Sequence, residues 1–118
     1  MRNLLLLLTL TFALLAQKKA DWTIKYELPN PVKANYDTTL TVRITDAKGK
    51  PVEGAQVETV LTMIEMDHGE FKEAAKQVKP GVYEAKQKFI MVGAFQIEVR
   101  AKKGDLSTTQ KFKYEVKE

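Results

Sequence analysis

The residues best suited to chemistry in this chain are one histidine and three methionines. His68 is the only histidine, and it lies with Met63 and Met66 in the segment T-M-I-E-M-D-H-G. Met91, the remaining methionine besides the initiator, lies in F-I-M-V-G-A-F. Thioether sulfur favours cuprous copper, and imidazole is a common partner ligand. The sequence therefore predicts a copper site of these four side chains, with Cu(I) favoured, provided that the two segments meet in the fold.

Each of the four side chains also has an interpretation without metal. Methionine is a flexible filler of hydrophobic cores, and Met63 continues the apolar face of the preceding strand. Met91 lies between two apolar residues, and His68 lies in a polar turn. Glu65 and Asp67 add oxygen donors that suit Cu(II) better than Cu(I), and we interpret them as solvated or as neighbours of the ligands.

The composition gives no support to catalysis or to nucleic-acid binding. Without cysteine there is no thiol nucleophile, and the single histidine has no serine in a nucleophile motif. The glycines punctuate turns instead of forming a phosphate-binding loop, and zinc requires more histidine or cysteine ligands. The net charge of +4 is spread over lysines interleaved with glutamates. We therefore predict no enzyme activity and no nucleic-acid partner.

The first residues differ in composition from the rest of the chain. A positive residue, an apolar run from Leu4 to Ala16 and a small residue at its end are typical of a secretory signal, and the run is shorter than a spanning helix. We assign residues 1–20 to a signal peptide or N-terminal anchor and residues 21–118 to one domain. The prediction is an exported, periplasmic or extracytoplasmic protein, anchored to the membrane if the segment is not cleaved.

After the signal segment the apolar residues recur with a period of two. Turn residues separate these alternating runs, which predicts an all-β immunoglobulin-like sandwich of about seven strands. The run 55–66 has apolar residues of both parities, which predicts a central strand or a bulge. The more polar run 71–78 is compatible with a short edge strand or with a helix.

Strand parity limits how the candidate ligands can meet. Met63 and Met66 are three positions apart, so a regular strand would place them on opposite faces. Convergence requires a bulge or a strand end between residues 64 and 67. Met91 is expected in the bend before Gly93, and the loops of a sandwich cluster at its two ends. The geometry is therefore possible but not required by the sequence.

The sequence resembles the YtkA-like family, close to the FixH-like domains, over residues 40–101. The resemblance is carried by V-R-I-T-D-A-K-G-K-P-V-E-G-A-Q-V, by L-T-M-I-E-M-D-H-G, and by P-G-V-Y-E-A-K-Q-K-F with M-V-G-A-F-Q-I-E-V. It implies an exported or membrane-anchored immunoglobulin-like domain. Because several relatives are associated with copper delivery to respiratory oxidases or with copper tolerance, it also implies copper binding by Met63, Met66, His68 and Met91.

Two hypotheses of different class follow. The first is an extracytoplasmic Cu(I) carrier or chaperone that passes copper to a membrane-bound acceptor such as a respiratory oxidase assembly. The second is a metal-free interaction module, in which the methionines provide packing and an adaptable apolar surface that docks on a membrane or extracytoplasmic partner.

Overall fold

The computed structural model describes residues 17–118. The regular secondary structure of these residues consists of β-strands joined by turns and loops. Its eight strands are β1 (Lys18–Lys19), β2 (Thr23–Glu27), β3 (Asp37–Thr45), β4 (Gln56–Met63), β5 (Phe71–Lys79), β6 (Val82–Lys88), β7 (Gly93–Lys103) and β8 (Leu106–Val116). The all-β immunoglobulin-like prediction is confirmed. Within the described residues, no helix has the length and apolar character needed to cross a membrane.

The strands form one curled sheet in the order β1-β8-β7-β4-β5-β6-β3-β2. The first half of β5 pairs with β4, and its second half pairs with β6 after a register shift between Gln77 and Lys79. β5 therefore crosses from one layer of the sandwich to the other. The strand interpretation of 71–78 is confirmed, whereas the edge position and the helix alternative are wrong. Only Phe71 and Ala75 of β5 are half-buried, because a strand at the side of the sandwich turns few side chains inward.

β4 is the central strand that its mixed pattern predicted. Val57 and Leu61 belong to the core between the layers, whereas Val60 faces the other side and is still buried. Val60 lies opposite Glu98 on β7 and Lys72 on β5. The long side chains on both flanks cover Val60 on the outer face of β4. Ile64 and Met66, which have the same parity, lie beyond the end of the strand and are exposed.

Two buried polar side chains fix the path of the chain between the layers. Gln87 donates to the Thr59 hydroxyl at 3.0 Å and to the Phe71 carbonyl at 3.0 Å, which ties β6 to β4 and to the start of β5. The Tyr83 hydroxyl donates to the Val52 carbonyl at 2.8 Å and accepts from the Ala55 amide at 3.0 Å. These hydrogen bonds satisfy groups that would be costly to bury alone.

The sandwich has two ends with different compositions. The methionine end consists of the connections 28–36, 64–70 and 89–92 together with the C-terminal end of β8. The basic end consists of the turns 46–55, 80–81 and 104–105 together with β1. β1 runs parallel to β8 at Leu106 and Ser107, so the described chain begins at the basic end.

The predicted signal or anchor segment lies mostly outside the described residues. Its last part, residues 17–20, belongs to the folded structure: Lys18 and Lys19 form β1, and Ala20 is buried. The Ala20 amide donates to the Ser107 carbonyl at 2.7 Å. Residues before Asp21 thus contribute to the described β-structure.

Candidate metal centre

The segment that carries three of the four candidate ligands leaves the sheet at Met63. β4 ends at this residue, and a series of bends follows over residues 64–66. Convergence of these side chains required a bulge or a strand end near residues 64–67, and the structure has a strand end immediately before that range. The Ile64 amide still donates to the Ala94 carbonyl at 3.0 Å, so the loop departs directly beside the start of β7.

Met63 lies against the bend that carries Met91. Its side chain is half-buried and packs on the hydrophobic core, and its residue pairs with Phe95 of β7. A Cβ added to Gly93 would be 2.9 Å from the Met63 methyl carbon. Gly93 has φ +144°, a conformation that side chains rarely adopt. The close approach of Met63 to the backbone and the backbone conformation both favour glycine at this position.

Met66 and His68 occupy the exposed part of the same loop. Met66 is 53% exposed, and His68 is also exposed. The Asp67 carboxylate accepts a hydrogen bond from the Gly69 amide at 3.0 Å, and Gly69 has φ +79°. This is an Asx-type turn, in which a short polar side chain and a glycine reverse the backbone locally. His68 therefore lies at the tip of a tight turn.

Met91 lies in the bend between β6 and β7, as expected, and is 37% exposed. The structure therefore brings the two methionine segments to one end of the sandwich and places Met63 against the 91–93 backbone. It leaves Met66 and His68 exposed on the adjoining loop and does not bury Met91. The assignment of these side chains as metal ligands stays a prediction. In residues 17–118, no three side chains among histidine, aspartate and glutamate are grouped so that they could hold a metal ion.

An aromatic cluster supports the methionine end from below. Phe89 and Phe95 meet edge to face at 5.1 Å between ring centroids, and Tyr114 lies 5.8 Å from Phe89. The Asn35 amide donates to the Phe89 carbonyl at 2.6 Å, which ties the β2–β3 connection to the bend. The loops thus rest on an aromatic base in which Phe89 and Phe95 are fully buried and Tyr114 is partly buried.

Sequence reasoning missed three apolar residues at the methionine end. Tyr36, Ile64 and Val92 are exposed there beside Met66 and Met91, so this end holds five of the seven exposed large hydrophobic residues of the described chain. Tyr36 and Val92 also line a hollow of about 340 Å³ with Pro31, Val32, Lys33, Ala34, Lys117 and Glu118. An aromatic residue within the turn-like segment A-N-Y-D was the available signal for Tyr36.

The charge of the methionine end is concentrated in the β4–β5 loop. Glu65, Asp67 and Glu70 are all exposed, and Glu70 forms an ion pair with Lys72 of β5 at 3.8 Å. The loop is therefore acidic in a chain with a net positive charge. An acidic surface around soft sulfur donors attracts cations in general, and the sulfur atoms supply the preference for a soft ion.

Comparisons with known proteins agree with this architecture. The solved Lin-41 filamin domain is similar to this chain with a TM-score of 0.52 at 11% sequence identity, covering 80% of this chain and 93% of that domain. At that identity the likeness shows the immunoglobulin-like fold alone. No curated protein has significant similarity to the sequence. The sequence model of the YtkA-like family matches residues 16–100, most of the chain. The protein therefore belongs to the YtkA-like family.

Proposed function

We propose that this protein is an extracytoplasmic Cu(I)-binding carrier or chaperone without catalytic activity, in which Met63, Met66, His68 and Met91 bind the ion. The observation that carries the proposal is the position of Met63: its methyl carbon lies against Gly93, two residues after Met91. Donors that are 28 positions apart in the sequence thus belong to adjoining segments at one end of the fold.

The difference in burial among the four side chains suits a carrier. Met63 is half-buried at the end of a central strand and rests on the core, so it offers a donor with restricted freedom. Met66, His68 and Met91 are exposed, so donors from an acceptor protein have room to replace them one at a time. Copper is the cargo in this proposal, and thioether ligands resist the disulfide formation that threatens thiolates outside the cytoplasm.

The test is an anaerobic Cu(I) titration in competition with a chromophoric chelator. We expect one equivalent of Cu(I) to bind to the full chain, and the double variant Met66→Leu/His68→Ala to bind at least about tenfold more weakly, since two donors are lost. The control variant Ile64→Leu changes the same loop but neither a proposed ligand nor a charge, and its affinity should equal that of the wild type. Binding that is too weak to compete with the chelator would end the proposal.

A second function is favoured by a separate observation, the exposed apolar residues at the methionine end. Clusters of this kind mark contact surfaces for other proteins, so the end is also suited to a metal-free docking module. The variant Tyr36→Ser/Val92→Ser alters the apolar surface and leaves all four proposed ligands in place. If a membrane complex that co-purifies with the wild type is lost with this variant, and the wild type does not bind Cu(I), the docking module replaces the carrier.

A further inference from the structure

The two ends of the sandwich carry opposite charge. The basic end holds seven exposed lysines: Lys18, Lys19, Lys48, Lys50, Lys79, Lys102 and Lys103. The carboxylates at this end are Asp21, Asp46, Glu53 and Asp105. The β4–β5 loop at the other end is acidic. The chain is therefore polarised along the direction of its strands, which its mild overall charge of +4 conceals.

One of these carboxylates is engaged within its own turn. Asp46 accepts hydrogen bonds from the backbone amides of Lys48 and Lys50, each at 2.9 Å. The pKa of Asp46 is lowered, and the largest cause is the hydrogen bond from the Lys50 backbone amide. The Asp46 carboxylate is thus held by the backbone amides of its turn, and both lysine side chains are exposed to solvent.

The chain that precedes the described residues joins the fold at this same end. Gln17 leads into β1, and the Lys18 amide donates to the Asp105 carbonyl at 2.7 Å, beside the turn between β7 and β8. The residues before Gln17 include the apolar run from Leu4 to Ala16. A segment of this composition enters or crosses a membrane before or instead of being cleaved. The lysine cluster and the apolar run therefore adjoin each other.

We propose that the basic end binds the anionic headgroups of a lipid bilayer, so that the domain stands on the membrane with its methionine end directed away from it. Lysines next to a membrane-associated segment bind anionic lipid, and each contributes about a fivefold factor close to the surface. The acidic β4–β5 loop is repelled by the same surface. Binding and repulsion at opposite ends both favour one orientation.

The orientation has a measurable consequence. β8 has 11 residues and runs from the basic end to the methionine end, which corresponds to about 35 Å at the usual rise of an antiparallel strand. An acceptor protein would meet the exposed end from the extracytoplasmic space, or through a domain that extends about as far from the bilayer. This inference concerns lysines that take no part in the proposed copper site, so it stands or falls separately from copper binding.

The test uses the full chain reconstituted in vesicles. Because the chain has no cysteine, a single introduced cysteine can carry a fluorophore without further changes. The two label positions are Ala47→Cys at the basic end and Val92→Cys at the methionine end, both exposed in the wild type. The vesicles contain a short-range headgroup quencher in phosphatidylcholine alone or in an equimolar mixture with phosphatidylglycerol.

We expect the label at position 47 to be quenched at least about threefold more in the anionic vesicles than in the zwitterionic ones, with salt reducing the difference. The label at position 92 should be quenched in neither. The variant Lys18→Gln/Lys19→Gln/Lys102→Gln/Lys103→Gln should abolish the difference at position 47. The control variant Lys25→Gln/Lys86→Gln/Lys88→Gln/Lys113→Gln removes the same charge from other exposed positions and should retain it.

Three results would overturn the inference. Equal quenching at the two positions would show that no end is preferred, and stronger quenching at position 92 would show the opposite orientation. An equal loss with the control variant would mean that net charge, and not the basic end, draws the domain to the lipid. Thermal unfolding of each variant, followed by circular dichroism, establishes that the compared chains are folded.

Discussion

The contact between Met63 and Gly93 leads to a prediction that can be tested without metal. Gly93→Ala introduces a Cβ at a residue with φ +144°, and that Cβ would lie 2.9 Å from the Met63 methyl carbon. A backbone conformation that is essentially restricted to glycine costs about 1–3 kcal/mol with another residue. The methionine side chain is flexible and can withdraw, so its displacement adds only about 0.5–1 kcal/mol. We expect Gly93→Ala to lower the free energy of unfolding by about 1.5–4 kcal/mol.

A double-mutant cycle separates the two contributions. Met63→Ala alone should cost about 1–2 kcal/mol, less than a fully buried methionine, because its side chain is only half-buried. In the Met63→Ala background, Gly93→Ala should cost about 0.5–1 kcal/mol less than in the wild type, since the contact is absent. Equilibrium urea unfolding of the four chains gives the coupling free energy directly.

Gly49→Ala is the matched control for this cycle. Gly49 also has a positive φ, +83°, but nothing lies within 4 Å of an added Cβ. Gly49→Ala should therefore destabilise the protein through backbone strain alone, and its effect should be independent of Met63→Ala. Additivity of Met63→Ala and Gly93→Ala within about 0.3 kcal/mol would refute the placement of Met63 against the 91–93 bend, and with it the main support for the copper site.

Three further predictions concern the scaffold. Gln87→Leu leaves the Thr59 hydroxyl and the Phe71 carbonyl without their buried donor, so urea unfolding should show a loss of about 2–4 kcal/mol; a loss below about 0.5 kcal/mol would exclude this hydrogen-bond network. Tyr83→Phe removes both backbone hydrogen bonds of the hydroxyl and should cost about 1–3 kcal/mol in the same assay, with an unchanged m-value. In the folded protein the pKa of Asp46 is lowered from 3.8, chiefly by the hydrogen bond from the Lys50 amide. The ionised Asp46 side chain therefore contributes its full stabilisation of the fold above pH 3.8, and this contribution is lost as the pH falls through the lower pKa of the folded state. The stability difference between the wild type and Asp46→Asn should therefore be constant near neutral pH and shrink below about pH 4; a difference that grows in acid would contradict the assigned direction.

Much of the fold follows from local patterns in the sequence. Alternation predicted most of the strands because they have one face on the core, as in β7, where Phe95 and Ile97 are buried and their neighbours are not. The run 55–66 indicated a central β4, and Val60 is buried on the outer face of that strand, whereas Ile64 and Met66 lie in the loop that follows it. The parity of Met63 and Met66 meant that these side chains could converge only at a bulge or a strand end, and β4 ends at Met63, earlier than the run 55–66 indicated.

The parts that could not be predicted depend on contacts between distant segments. β5 looked like an edge strand because few of its side chains face the core, and its position follows from pairing with both β4 and β6. β1 has two residues and is defined only by its pairing with β8, so no local pattern marks it. The proximity of Met63 to Gly93 arises from the register between β4 and β7. The addition of Tyr36 to the apolar surface depends likewise on the path of the β2–β3 connection.

The central claim is that methionine sulfur and one imidazole bind copper, and X-ray absorption at the copper edge tests it most directly. Because the chain has no cysteine, any sulfur scattering from the Cu(I)-loaded protein in thiol-free buffer comes from methionine. The account predicts sulfur neighbours together with a nitrogen neighbour, a reduced sulfur contribution in Met66→Leu and in Met91→Leu, and loss of the imidazole signal in His68→Ala. A spectrum with nitrogen and oxygen neighbours only, unchanged when the methionines are replaced, would contradict it.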